Sequence, residues 1–147
     1  MKWVNPPVVL MLHAGAPRLL AAGVTLPGLH QGDPSRIALE AYPGMLARQL
    51  AGRASYKSDD PRKDDHGRRA ARVAITAALE SGHHPLGIVV DFAEGLRQPC
   101  LDDFRGDTLD AVLCAVQAAW GWGRRERNYG LPTAMDALEG WIVGAAY

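Results

Sequence analysis

The residues best placed to do chemistry lie in RGDTLDAVLCAVQAAW, Arg105 to Trp120, where two stripes run along one expected helix. Leu109, Val112, Leu113, Val116 and Trp120 recur at helical spacing as an apolar stripe; Asp107, Asp110, Cys114 and Gln117 form a separate polar one. Asp107, behind Gly106, is suited to cap the free N–H groups of the first turn and to sit at the positive end of the helix dipole. Asp110 lies one turn further on with a thiol and an amide on its face, in a helix otherwise too apolar to be a solvated surface helix. Two readings stand: the carboxylate pair looks into a site, or both acids decorate an exposed first turn. A third carboxylate, Glu40, falls in RIALEAY, Arg36 to Tyr42, which alternates as a strand does. Ile37, Leu39 and Ala41 take one side, and Ala38, Glu40 and Tyr42 the other. On a central strand such a charge is costly unless it is paired or ligates a metal.

The elements that must position these groups can be read in order. Pro6 to Ala22 reads as one broken helix or two short ones, interrupted at Gly15-Ala16-Pro17 and stopped at Gly23, with a strand over Val8 to Leu12 as the competing assignment. Val24 to Ser35, rich in Gly and Pro, reads as a surface loop. After the Arg36 to Tyr42 strand, Pro43 opens a helix that runs to Gly52, and Ala54 to Gly67 is a polar, mixed-charge connection. Arg68 to Glu80 is an Ala-rich helix with Arg68, Arg69 and Arg72 on its early turns, ordinarily a solvated face, and a stop at Gly82. Leu86 to Phe92 has the branched residues of a short buried strand, expected to lie beside Arg36 to Tyr42. Ala93 to Asp103 reads as a short irregular helix or turn broken by Pro99. Beyond the Asp107 helix, GWGRRERNYGLPTAMD is a long loop with a basic cluster, and Glu139 to Val143 is extended, docking Trp141 and Ile142 on the core. Strands interleaved with helices imply an α/β layered domain.

A chain of 147 residues is one domain by length, residues 1–147, with enough bulk to bury a core without disulfide or metal staples. Lys plus Arg and Asp plus Glu are each 16, so no global field selects nucleic acid or membrane, although a neutral total can hide opposed patches. Cys100 and Cys114 form no CxxC pair, which excludes a zinc or redox motif built from them alone and suits a reduced, cytoplasmic chain. The apolar run Val8 to Leu12 behind Lys2 is too short, and too close to Pro6 and Pro7, for a signal peptide. No run approaches the ~20 apolar residues of a membrane span. Thiol chemistry from Cys114 with His13, His66, His83 or His84 has no motif behind it, since a helix-borne Cys is usually a small core residue.

Four blocks carry a resemblance: LEAYPG at Leu39 to Gly44, SYK at Ser55 to Lys57, GDTLDAVLCAVQAAW at Gly106 to Trp120 and EGWIV at Glu139 to Val143. In this order they resemble the predicted nucleases grouped as domain of unknown function 429, assigned to the ribonuclease H-like superfamily. That resemblance implies a ribonuclease H-like layered fold, with the Glu40 strand and Leu86 to Phe92 neighbours in a mixed sheet flanked by helices. It implies metal-dependent phosphodiester hydrolysis, in which carboxylates converge on one or two Mg2+ or Mn2+ ions that activate water and stabilise the leaving oxygen. The strand carboxylate then corresponds to Glu40 and the last-helix carboxylate to Asp107 or Asp110, a helical turn apart and able to share one cluster. Lys57 and Arg68, Arg69 or Arg72 are the expected contacts for phosphate oxygens, with nucleic acid as the partner.

The superfamily's first acidic residue, on the opening strand of an antiparallel meander, has no counterpart here: no strand with an Asp precedes Glu40, and Asp33 sits in the Gly/Pro loop. The expectation is therefore the C-terminal portion of such a domain, lacking the N-terminal antiparallel strands. Its exposed sheet edge would be covered by homo-oligomerisation or by a missing N-terminal segment. Against the nuclease stand a noncatalytic binding or structural module on the same scaffold, and one half of a split enzyme.

Overall fold

A computed structural model describes residues 6–136 and 138–145, with side chains from Leu10 onward. Lys2, weighed above as the head of a signal peptide, lies outside them. The architecture is mixed α/β, dominated by helix: α1 Pro6–Ala21, β1 Val24–Thr25, β2 Asp33–Ile37, α2 Pro43–Ala51, α3 His66–Ser81, α4 Arg97–Asp102 and α5 Asp107–Trp122. Among the described residues, no helix is long and apolar enough to cross a membrane.

The core forms where apolar stripes of four helices meet. Leu109, Leu113 and Val116 of α5 are buried against Leu46 and Ala47 of α2, Ala71, Ile75 and Leu79 of α3, and Cys100 of α4, with Val112 and Trp120 packed at the margin. The expected apolar stripe of α5 is thus the one that faces inward; each large aliphatic side chain withdrawn from water contributes ~1.5 to 3 kcal/mol. Local signals set the helix ends. Pro43 stands in the first turn of α2; Asp65 caps α3 by accepting from Arg68 N at 2.8 Å; and Gly82, left-handed at φ 68°, ends it. Arg69 to Asp102 at 2.8 Å and Arg97 to Glu80 at 2.7 Å tie α3 to α4. At the amino end α1 is one helix rather than a broken one. It passes through Pro17, forgoing the hydrogen bond that a residue there would give to His13, and ends before Gly23 at φ 66°.

The strands depart most from expectation. The sheet has two strands, β1 and β2, paired in parallel, so Val24, Thr25 and Asp33 to Ser35 are strand where a loop was expected, and of the expected Arg36 to Tyr42 strand only Arg36 and Ile37 are in the sheet. From Ala38 to Tyr42 the chain continues without a ladder. Its backbone groups are satisfied singly: Ala38 N donates to Thr25 O at 3.0 Å, Glu40 O accepts from Val143 N at 2.8 Å, and Tyr42 N donates to the Gln117 side chain at 3.1 Å. Leu86 to Phe92 is not a strand. It keeps a strand's alternation, with Leu86, Ile88, Val90 and Phe92 turned in and Gly87, Val89 and Asp91 exposed, but among the described residues no neighbouring strand offers a ladder. Instead Val90 N caps the end of α3 by donating to Leu79 O at 2.9 Å. The two segments expected side by side both meet the carboxy-terminal stretch: Val143 bonds to Glu40, and Leu86 abuts Gly144. In that stretch Val143 is the buried anchor, at 1% exposure, while Trp141 and Ile142 are half-buried.

Candidate functional site

The head of α5 is set by a glycine and a capping acid. Gly106 has φ 76°, and a Cβ there would stand 2.9 Å from Lys57 Cβ and 3.3 Å from the Tyr56 ring, so only glycine lets the Ser55 to Ser58 segment press against the start of the helix. Ser58 N donates to Phe104 O at 3.0 Å and fixes that approach. The cap is Asp103, not Asp107 as the sequence suggested. Its carboxylate accepts from Thr108 N at 2.9 Å, from Thr108 Oγ1 at 3.0 Å and from Arg105 N at 3.0 Å. Those bonds, the Thr108 backbone bond foremost, hold the Asp103 carboxyl below the usual carboxylate range. Asp107 is thereby released: it is exposed, and no side-chain partner stands near it among the described residues.

Asp110, one turn in, is engaged at both oxygens. The Tyr56 hydroxyl donates to Oδ1 and the Lys57 ammonium to Oδ2, each at 2.5 Å. The Asp110 side chain is 19% exposed and that of Lys57 42%, so the pair is reachable from solvent but partly shielded from it. Burial, then the hydrogen bond to Asp110 and the charge of Asp110, push the Tyr56 phenol far above its ordinary range. Cys114, the next residue of the polar stripe, is half-buried; burial and the Asp110 charge raise its thiol, with Lys57 opposing. A turn beyond, Gln117 is fully buried and bridges two chain segments, accepting from Tyr42 N at 3.1 Å and donating to Val143 O at 2.8 Å.

The polar stripe of α5 therefore joins the blocks from which the resemblance was read. Asp110 holds Tyr56 and Lys57 of SYK, while Gln117 holds Tyr42 of LEAYPG and Val143 of EGWIV. Glu40 belongs to the same assembly through its backbone. Its side chain is exposed, with Oε2 3.0 Å from where a Cβ on Gly140 would lie. The arginines of α3 sit elsewhere. Arg72, expected as a phosphate contact, is 1% exposed and fully engaged: Nε donates to Leu101 O at 2.7 Å, Nη1 to Tyr56 O at 2.9 Å, and both terminal nitrogens to Asp64 at 3.0 Å. It is a structural group, placed on the core side of α3 by helical spacing from Ile75 and Thr76. Arg68, half-buried with its Nε enclosed, pairs with Asp65 at 2.6 Å, and Arg69, also half-buried, pairs with Asp102 at 2.8 Å.

Whether these residues suit a divalent cation turns on the donors. Among the described residues, no three or more His, Cys, Asp or Glu side chains group so as to hold a metal ion. Asp110 already spends one oxygen on an ammonium and the other on a phenol. Glu40, Asp107 and Asp110 thus do not by themselves complete a site for Mg2+ or Mn2+ in this arrangement. Sequence reasoning missed Tyr56 and Asp103. Tyr56 stood in a quoted block but was given no role, and Asp103 stood outside the helix it caps.

The chain is thus a mixed α/β scaffold with an acid, lysine and tyrosine cluster at the head of α5. Residues 16–134 match the family described as "Protein of unknown function (DUF429)", and the chain belongs to that family. No curated protein and no solved structure matches it.

Proposed function

We propose that this chain is a phosphodiester-directed module of the nuclease type, ribonuclease H-like in ancestry, whose site is the head of α5. The observation that carries this reading is the joining of Lys57 to Asp110 beside an unpartnered Asp107, two chemistry-bearing blocks far apart in sequence brought into one solvent-reaching cluster. Lys57 is the phosphate contact: an incoming phosphate can compete with Asp110 for the ammonium, which frees the Asp110 carboxylate for the reaction. Arg68, half-buried on α3 and paired with Asp65, is a secondary contact through its outer nitrogens. Hydrolysis by this class draws on Mg2+ or Mn2+, which supplies an activated water. Because the described residues do not complete a ligand set, the second reading is a noncatalytic binding module on the same scaffold. A cytoplasmic location fits both, with Cys100 and Cys114 free.

The test is incubation of labelled single- and double-stranded oligonucleotides with the protein in Mg2+, Mn2+ or chelator, beside Asp107→Asn, Asp110→Asn and Lys57→Met. Divalent-dependent cleavage lost in Asp110→Asn supports the nuclease. Binding without cleavage, weakened by Lys57→Met, supports the noncatalytic module. Absence of both binding and cleavage rejects both.

A further inference from the structure

Past the other end of α5, the segment from Trp122 to Gly130 carries Arg124, Arg125 and Arg127 against one acid, Glu126, in a chain of zero formal net charge. The Arg124 guanidinium lies 3.9 Å from the centre of the Trp120 ring, and that of Arg125 5.1 Å from the centre of the Trp122 ring. Each also donates to the carbonyl of the tryptophan it covers, at 3.3 Å, which caps the helix end while the charges stay at the surface. Trp120 is committed to packing, since a Cβ on Gly130 would stand 2.6 Å from its ring. Trp122 carries the Arg125 guanidinium at 5.1 Å yet remains 57% exposed. With Tyr129, Ile37, Leu39, Ala115 and Ala118 it lines an open apolar groove of about 590 Å3. That volume lies within the ~300 to 1,000 Å3 typical of small-ligand sites. Asn128 and Tyr129, both left-handed at φ 50° and 57°, make the turn that brings Tyr129 to the groove wall.

We infer that this corner binds single-stranded nucleic acid, an unpaired base entering the groove against Trp122 while Arg125 and Arg127 meet the flanking phosphates. The groove offers flat apolar and aromatic walls, which accept the face of any base, and alanines on α5 leave room for it. Beside it, Arg125 lies over the Trp122 ring and pairs with the exposed Glu126 at 3.5 Å, an exposed pair that a phosphate can displace, and Arg124 and Arg127 in the same segment leave a local excess of positive charge complementary to a phosphate backbone. A duplex hides its base faces and could not use the groove. An anionic bilayer also attracts Trp and Arg, but it needs a protruding apolar band, and here the apolar surface is recessed. This inference rests on the phosphodiester reading for its class of partner and adds strandedness and location.

Binding is followed by fluorescence anisotropy of a labelled unstructured oligonucleotide in chelator, where no cleavage intervenes, against the same sequence as a duplex and against phosphatidylserine vesicles. The expected result is preference for the single strand, affinity falling with salt, and a loss of roughly tenfold in Trp122→Ala but little in Trp122→Phe. Arg125→Gln combined with Arg127→Gln should reduce the salt slope by about 1.4. Equal binding of duplex, binding of vesicles alone, or unchanged affinity in folded Trp122→Ala and in the double arginine variant would each overturn the inference. Cleavage at the head of α5 with no such binding would overturn it and leave the nuclease reading intact.

Discussion

Arg72 and Tyr56 show how much of this molecule depends on single side chains that the sequence left ambiguous. Arg72 is buried with donors to two main-chain carbonyls and to Asp64, so Arg72→Met would strand those acceptors and is expected to cost about 3 to 5 kcal/mol, read from the denaturant midpoint. Arg72→Lys should not rescue it, because one ammonium cannot span the fork. Tyr56 gives a pH signature. Its folded pKa is raised above an unfolded value of about 10, so the stability from its protonated phenol is complete below about pH 10 and is lost as pH rises beyond it. Unfolding free energy of the wild type should therefore fall more steeply in alkali than that of Tyr56→Phe, by up to one proton's worth of slope. Equal slopes would show that the phenol is not shielded. That Asp107 and Asp110 stand one turn apart was legible because they share one helix. The Tyr56 to Asp110 bond was not, because 54 positions separate its ends and nothing local marks a tyrosine as the partner of a distant acid.

At the level of elements, the helices could be read because their signals are local. Pro43, Gly52 and Gly82 each act within a turn of the boundary they set, and α2 and α3 end where those residues stand. The strands could not be read, because alternation records which side chains turn inward and not whether another strand lies alongside; Leu86 to Phe92 has the first without the second. The cap of α5 is an intermediate case, an acid of the right type displaced by four positions. Asp103→Ala is expected to lower stability by about 1 to 2 kcal/mol, whereas Asp107→Ala should change it by no more than about 0.5. Because its carboxyl titrates below the usual range, the Asp103 contribution is present above the unfolded pKa and lost as pH falls through the folded one, and it should vanish in acid. Thermal unfolding of both variants at neutral and acidic pH checks the assignment; a larger loss in Asp107→Ala would reverse it.

Over the whole molecule, the most conspicuous surface is α1, where Leu10, Met11 and Leu12 are 65%, 73% and 69% exposed. Exposed apolar side chains around a helix, with Leu19 and Leu20 also exposed further along it, favour self-association. Homodimers are expected by light scattering at tens of micromolar, reduced to monomers in Leu10→Lys combined with Leu12→Lys at little loss of thermal stability. A wild type that stays monomeric there contradicts this. The sequence reading expected association on a different ground, an unpaired sheet edge. Gln117 has a consequence on another timescale. By holding Tyr42 N and Val143 O at once, and with Val143 N bound to Glu40 O, it makes two stretches outside any regular ladder as dependent on α5 as its own turns. In deuterium the amides of Tyr42 and Val143 should accordingly exchange at the slow rate of the α5 interior, not at the rate of loops. In Gln117→Ala both should quicken together while the centre of α3 keeps its protection.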